Sequence, residues 1–486
     1  MIKNIITIAL FCCTASSLYA QQTAEERSAQ ESREVFKKPL ETVLKDIEKQ
    51  YHVTLEFEPK VVKGKVVNYA DWRLRTDLSA TLDNVLKPLD LVWKEKNKDT
   101  YEITSFEYFR KEFSEGSKRL EELLKLYPDV KAWEARKQEV KSCMLKAMGI
   151  NLSAKRNALN PVYRNKRKMD GYTAENVAFE SIPGYFVCGT LYRPISGGQH
   201  PVILSPHGHF YNKVDKFIQD ERGRYRPDMQ YRCGTLARMG AIVFDYDMYS
   251  YGESVQQSGS YNFHKTGFAL AIQTWNSIRA LDFLLSLPDA DVKRVGVTGA
   301  SGGGTQTFLI AALDNRITAS CPVVMVSSSF YGGCNCESGL PIHTCGRTNN
   351  AEIAAMAAPR PQLVISDGND WTQTVPTIEF PYLKKVYGLY NAQEKVVNTH
   401  LPDDHHDYGF TKRVPMYHFF AKEFGLNIKA VSDKNGAIDE SKITIENSET
   451  QHVFNNNFPM PAYALKSHES IVLAFEKLQK GAVAPW

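Results

Sequence analysis

Beyond residue 20, no stretch of this 486-residue chain reaches the roughly 18 apolar residues that a membrane-spanning helix needs, so the sequence predicts a protein without a membrane span. It also lacks a surplus of charge of one sign. Its 59 Lys and Arg face 55 Asp and Glu, a net charge of +4, which argues against the broad basic surface of a nucleic-acid binder. Cysteine is sparse at nine, two of them in the first twenty residues. The other seven are an odd number, so at least one has no disulfide partner within a monomer. Hydrophobic content of 43% and charge of 23% are ordinary for a globular protein.

What is present begins with an export pattern. Lys3 supplies a positive start, Ile5 to Cys13 form a short apolar run, and Leu18-Tyr19-Ala20 precedes Gln21-Gln22. Residues 1–20 are therefore read as a signal peptide cleaved after Ala20. Lipid attachment at Cys12 or Cys13 is the alternative, which bulky Phe11 disfavours. Such a start implies an exported protein in a compartment where disulfides are permitted. Cys334, Cys336, His343 and Cys345 stay open to three fates: a Cys3His metal site, a disulfide through Cys345, or buried thiols.

After a polar leader over 21–38, residues 39–105 read as a small α+β domain. Leu40, Val43, Leu44 and Ile47 recur at helical spacing, as do Leu78, Leu82, Val85, Leu86 and Leu89. Val53 to Phe57 alternates like a strand, Val61 to Val67 carries a Gly64 turn, and Leu91 to Lys94 with Thr100 to Thr104 suggests a hairpin. The segments Leu40–Tyr51, Val53–Phe57 and Thr81–Leu86 resemble the short N-terminal domain of secretins and TonB-dependent receptors. The resemblance implies the periplasm or cell envelope of a Gram-negative-type bacterium and allows a cell-envelope partner, although an inert accessory domain fits equally.

Residues 106–430 are assigned to a catalytic domain with helices at its start, and 431–486 to an extension packed on it. Trp133, Val140, Met144 and Met148 share a helical face after Pro128. Strand-like runs follow from Val177 and from Tyr185, then at 200–205, 241–246, 294–298, 321–326, 362–366 and 396–400. Helical stretches such as Phe268 to Leu287 lie between them. Continuous apolar strands alternating with helices predict an α/β fold, a doubly wound and mostly parallel sheet covered on both faces. Ligands in such sheets bind beyond the C-terminal ends of the strands.

The chemistry sits there. Gly299-Ala-Ser301-Gly-Gly303 follows an apolar strand and opens a helical run, the setting in which G-x-S-x-G forms a nucleophile elbow. A glycine-rich anion loop is the competing reading. A serine hydroxyl needs a positioned base, and His406, with His405 as runner-up, lies in the turn-rich loop after the last strand. Asp370, favoured over Asp367, ends the preceding strand region and would orient the imidazole. The backbone N–H groups of Gly302 and His209 are the expected oxyanion donors. His207 is given no proton-transfer role.

The segments Pro183–Pro194, Phe244–Ser254, Gly299–Thr307, Thr348–Ala355 and His406–Gly409 resemble bacterial α/β-hydrolases of the acetyl xylan esterase and dienelactone hydrolase-like group. That group includes esterases acting on pectin methyl esters. The resemblance covers about 115–486 and implies a serine carboxylic ester hydrolase working without metal or organic cofactor. A polysaccharide or oligosaccharide ester is the implied substrate, with methyl and acetyl esters both open. His405 departs from the small residue common at that position. Arg222, Arg224 and Arg226 are candidate ligands for a uronate carboxylate. Trp371 is a candidate sugar-stacking surface, as are Tyr225, Tyr231 and Trp275. A prolyl-oligopeptidase-like peptidase, disfavoured by the lack of a propeller-like repeat region, and a non-catalytic binding protein are the other readings.

Overall fold

The computed structural model describes residues 36–89, 91–105, 110–209, 223–338 and 345–480. The export segment, the leader up to 35, Arg222 and His343 lie outside them. The chain divides into two compact units, residues 1–107 and 108–486.

In the first unit, β1 (Lys37–Pro39) pairs antiparallel with β3 (Val66–Asn68), and β2 (Thr54–Phe57) joins β4 (Leu91–Asn97) and β5 (Thr100–Ser105) in the order β2-β5-β4. Helix α1 (Leu40–Tyr51) buries its apolar stripe of Leu40, Val43, Leu44 and Ile47. Helix α2 (Leu78–Leu86) is capped by Asp77, whose side chain accepts from the N–H of Ala80 at 2.7 Å. Both helices feed one cluster that also holds Leu55, Leu91 and Ile103. Gly64, at φ +74°, turns the chain into β3 as its freedom at positive φ allows.

The second unit is built on nine strands: β6 (Val162–Lys168), β7 (Tyr172–Ile182), β8 (Tyr185–Pro194), β9 (His200–Leu204), β10 (Ile242–Tyr246), β11 (Ala290–Ala300), β12 (Ala319–Val323), β13 (Gln362–Asp367) and β14 (Val396–Leu401). Their order is β14-β13-β12-β11-β9-β10-β8-β7-β6. From β14 to β10 all neighbours are parallel, and β8, β7 and β6 continue antiparallel. This is the mostly parallel sheet of an α/β-hydrolase fold. Both faces are buried: Val202, Leu204, Ile242 and Phe244 enter one apolar cluster, while Ile203 and Val243, between them in sequence, enter another.

Helices α3 (Phe113–Leu124) and α4 (Val130–Met148), followed by α5 (Pro227–Arg238), α6 (Gly267–Ser286), α7 (Gly302–Leu313) and α8 (Phe410–Phe424), cover the sheet. Trp133, Val140, Met144 and Met148 of α4 are buried. A disulfide joins Cys143 on α4 to Cys345 across 202 residues of sequence, a link of a kind typically worth about 2–4 kcal/mol. Beyond residue 430, Ile438 and Ile443 join one face cluster, and Ile471 and Phe475 of α9 (His468–Lys480) join the other. Among the described residues no helix is long and apolar enough to cross a membrane.

β6 departs from the sequence reading, which finds no strand there. Its Val-Tyr-Arg-Asn-Lys-Arg-Lys sequence is mostly exposed, because a sheet edge tolerates charge on both faces.

Candidate active site

Because β9 to β14 run parallel, the chain segments that follow them emerge on one edge of the sheet. Ser301 stands between β11 and α7 with φ 56° and ψ −124°, a positive φ that costs a non-glycine residue energy and is held only where the surroundings enforce it. Its N–H donates to Val323 O at 3.1 Å and its carbonyl accepts from the N–H of Thr305 at 2.9 Å, so strand and helix both grip the turn. The flanking glycines are required sterically. A Cβ on Gly299 would lie 2.4 Å from Pro206 O, and one on Gly303 2.3 Å from the same oxygen. The segment after β9 thus lies directly against the elbow, which sets His209 beside Gly302. A methyl group on Gly302 would meet Glu337 Oε1 at 3.1 Å and His209 Nδ1 at 3.5 Å. Ser301 itself is 5% exposed.

Beyond β13 and β14 the structure brings Asp370 and His406 together. The His406 Nδ1–H donates to Asp370 Oδ2 at 2.6 Å. The other carboxylate oxygen of Asp370 accepts from Thr372 N–H at 2.6 Å and Thr372 Oγ1 at 2.5 Å, so the acid cannot rotate without losing three hydrogen bonds. Asp367 takes a different partner. Its carboxylate is buried 3.4 Å from Lys412 Nζ, and burial, with Asp370 nearby, pushes its pKa up to about 6. His405 is exposed and contributes its backbone carbonyl, which accepts from Lys412 at 2.6 Å. Lys412 also meets Asp404 and Asp407, at 3.3 and 3.1 Å, and so fixes the loop that carries His406. Two residues further on, the Tyr408 hydroxyl bonds Thr298 Oγ1 at 2.6 Å and ties that loop to the nucleophile strand.

Trp371 is half-buried, its ring centroid 4.5 Å from that of His406 and 4.0 Å from that of Phe330. The two aromatics border a cleft of about 320 Å³ whose other walls include Asp370, Asn369, Arg110 and Lys111.

The arginines expected to recognise a carboxylate are placed otherwise. Arg224 is fully buried, donating to Asp247 Oδ1 at 2.9 Å and Glu253 Oε2 at 2.7 Å and further to Thr190, Tyr225 and the Gln451 carbonyl. Burial still pushes the two acids up, to about 6 for Asp247 and about 7 for Glu253. This guanidinium is spent inside the fold and is withdrawn as a substrate ligand. Arg226 occupies the N-cap position of α5, and its side chain pairs with Asp228 at 2.8 Å. Arg222 lies outside the described residues. Trp275 and Tyr225 are core residues, with Trp275 Nε1–H donating to Ser181 O, and neither offers a sugar a surface.

His207 is a buried neutral ring, its pKa depressed to about 3 by burial. Its Nε2 accepts from Met248 N–H at 3.0 Å, and its Nδ1–H donates to Gly208 O at 3.1 Å. The His209 side chain meets Glu337 and Cys336, residues unremarked as partners in the sequence because 128 and 127 positions separate them from it. Cys345, in the disulfide, is removed from the proposed Cys3His set. Lys412 and Thr372 are likewise supports that spacing did not reveal.

Comparison with known proteins bears on the fold and the family. The acetyl xylan esterase (AXE1) family model matches residues 272–333, which contain the elbow. Acetyl esterase Axe7A of Xylanibacter ruminicola is 29% identical over 175 residues, 33% of this chain, and the match spans 38% of that relative's length. The solved structure of methylesterase BT1017 is 41% identical, with a TM-score of 0.73 over 93% of this chain and 99% of that one. Identity at that level along nearly the whole length places the chain in the family of methylesterase BT1017, carboxylic ester hydrolases on the α/β-hydrolase fold.

Proposed function

We propose that this protein is an exported serine esterase that removes methyl groups from the carboxyl esters of uronates in a pectin-type polysaccharide. The observation that carries the mechanism is the 2.6 Å contact between His406 and Asp370 on the sheet edge that presents Ser301 at its strained turn. Ser301 Oγ attacks the ester carbonyl while His406 Nε2 takes its proton. The oxyanion is held by the N–H groups of Gly302 and His209. Collapse expels methanol, protonated by His406, and leaves the uronyl group on Ser301. Water, deprotonated by the same imidazole, then releases the uronic acid and restores the serine. Asp370 fixes the imidazole and stabilises its cation.

Support for a methyl ester of an acid sugar comes from the methylesterase relative and from the cleft beside His406. There Arg110 and Lys111 offer positive charge to neighbouring uronate carboxylates, and half-buried Trp371, backed by the buried Phe330, offers aromatic surface to a sugar ring. Support for export and for the periplasm or cell envelope comes from the pattern of residues 1–20 and the character of the N-terminal unit. A cell-envelope partner for that unit belongs to the same reading. Acetyl removal is the second reading, favoured by the AXE1 match.

The test is a product assay on methyl-esterified pectin and on acetylated xylan. Methanol release from pectin, exceeding acetate release from xylan in kcat/KM, is the expected outcome. Acetate release with no methanol would move the protein to the acetyl esterases.

A further inference from the structure

Three soft donors meet beside the elbow. A ring nitrogen of His209, Cys334 Sγ and Cys336 Sγ all lie within 4.8 Å of one another, and the Cys336 sulfur is 3.1 Å from His209 Nε2. With Zn–S near 2.3 Å and Zn–N near 2.0–2.1 Å, a tetrahedral centre has donor–donor edges of roughly 3.5–3.8 Å. Small rotations of the two cysteine side chains therefore suffice to close the triangle on an ion.

Glu337 is the second, independent observation. Its Oε1 accepts the Nδ1–H of His209 at 2.8 Å, which leaves the lone pair of Nε2 turned toward the sulfurs. A carboxylate behind an imidazole in this way fixes the tautomer and strengthens the ring as a metal ligand. Glu337 is itself held, since its Oε2 accepts from the N–H of Gly333 at 2.8 Å, and its side chain is only 5% exposed. The His209 side chain, by contrast, is 27% exposed. Ester hydrolysis uses none of these side chains, since only the backbone N–H of His209 serves the oxyanion. The other free thiols among the described residues, Cys188, Cys233 and Cys321, are buried elsewhere in the core.

We propose that His209, Cys334 and Cys336 bind a thiophilic divalent cation of the zinc class, with Glu337 as the carboxylate behind the imidazole. The two thiols bind as thiolates, releasing their protons, and the neutral imidazole binds through Nε2. Three protein ligands leave the fourth position for water. The ion ties the segment after β9, which carries an oxyanion donor, to the segment 334–337, and so stiffens the wall next to Gly302.

The test uses the full-length protein under a thiol-free reductant. After chelation and desalting it is titrated with Co²⁺ and then Zn²⁺. Binding of one Co²⁺ per chain, with sulfur-to-cobalt charge-transfer and tetrahedral ligand-field absorption that Zn²⁺ abolishes, is expected. The Cys334→Ser/Cys336→Ser double variant should lose these bands, and Glu337→Ala should weaken affinity about 10–100-fold. A variant that does not fold is bypassed on the native protein, where Zn²⁺ should protect Cys334 and Cys336 from alkylation in peptide mapping. Absence of the charge-transfer bands, bands retained in the double variant, or equal alkylation with and without Zn²⁺ would overturn the proposal. Spectrum and alkylation are read without substrate, so failure of the esterase assignment and failure of the metal site are separate results.

Discussion

At the residue scale, Asp367 ends β13 and Asp370 lies three positions beyond it, and only their partners tell them apart. Asp370 faces His406, whereas Asp367 faces Lys412. Asp370→Asn should lower kcat about 10⁴-fold with the fold intact, because the amide holds the wrong tautomer of the imidazole. Asp367→Asn should cost far less, and steady-state kinetics of the two variants check the difference. A place further into the loop favours Asp370, while the sequence carries no sign of Lys412, 45 residues beyond Asp367. The arginines are the opposite lesson. Arg222, Arg224 and Arg226 look like a carboxylate-binding comb in sequence, yet Arg224 is consumed by two buried acids 23 and 29 residues away.

His207 makes a pH prediction at the same scale. Its folded pKa is about 3 against an ordinary 6.5, so below pH 6.5 the unfolded chain binds a proton that the folded chain refuses. Its contribution to stability is therefore intact above pH 6.5 and drains at roughly 1.4 kcal/mol per pH unit as the pH falls from 6.5 toward 3. Urea unfolding of the wild type and of His207→Gln across that range should show a stability difference that shrinks as the pH falls. A difference independent of pH would contradict the assignment of a neutral, buried ring.

At the scale of elements, the parallel strands β9 to β13 were legible because each is a continuous apolar run. The charged edge strand β6 was not, since its residues carry no buried face to mark it. The elbow was legible for another reason: glycine is dictated there by backbone crowding, not by taste for a turn. Gly303→Ala would place a methyl group 2.3 Å from Pro206 O. It should destabilise the protein by about 1–3 kcal/mol and lower activity with it, since relief requires separating the β9 segment from the helix start. Thermal unfolding monitored alongside ester hydrolysis checks this. The placement of His209 against Glu337, Cys334 and Cys336 was not legible, because loops after different strands bring these residues together.

At the scale of the whole molecule, the first unit has its own apolar core and every residue assigned to ester hydrolysis belongs to the second. A chain lacking residues 1–107 should therefore retain the kcat/KM of the full protein for a small soluble ester. Loss of turnover in a truncated protein that remains folded would show that the first unit contributes to catalysis. The parallel core of the sheet could be expected from composition and periodicity, whereas the edge at which the site is assembled depends on strand order, which periodicity does not encode.

Every step of the proposed reaction depends on the hydroxyl of Ser301 acting as the nucleophile. Fluorophosphonate labelling followed by peptide mass spectrometry reads that hydroxyl's reactivity without an assumption about the substrate. One adduct on the peptide carrying Ser301, absent from a folded Ser301→Ala variant that has also lost ester hydrolysis, is the predicted result. An adduct on another residue, or undiminished hydrolysis by Ser301→Ala, would contradict it.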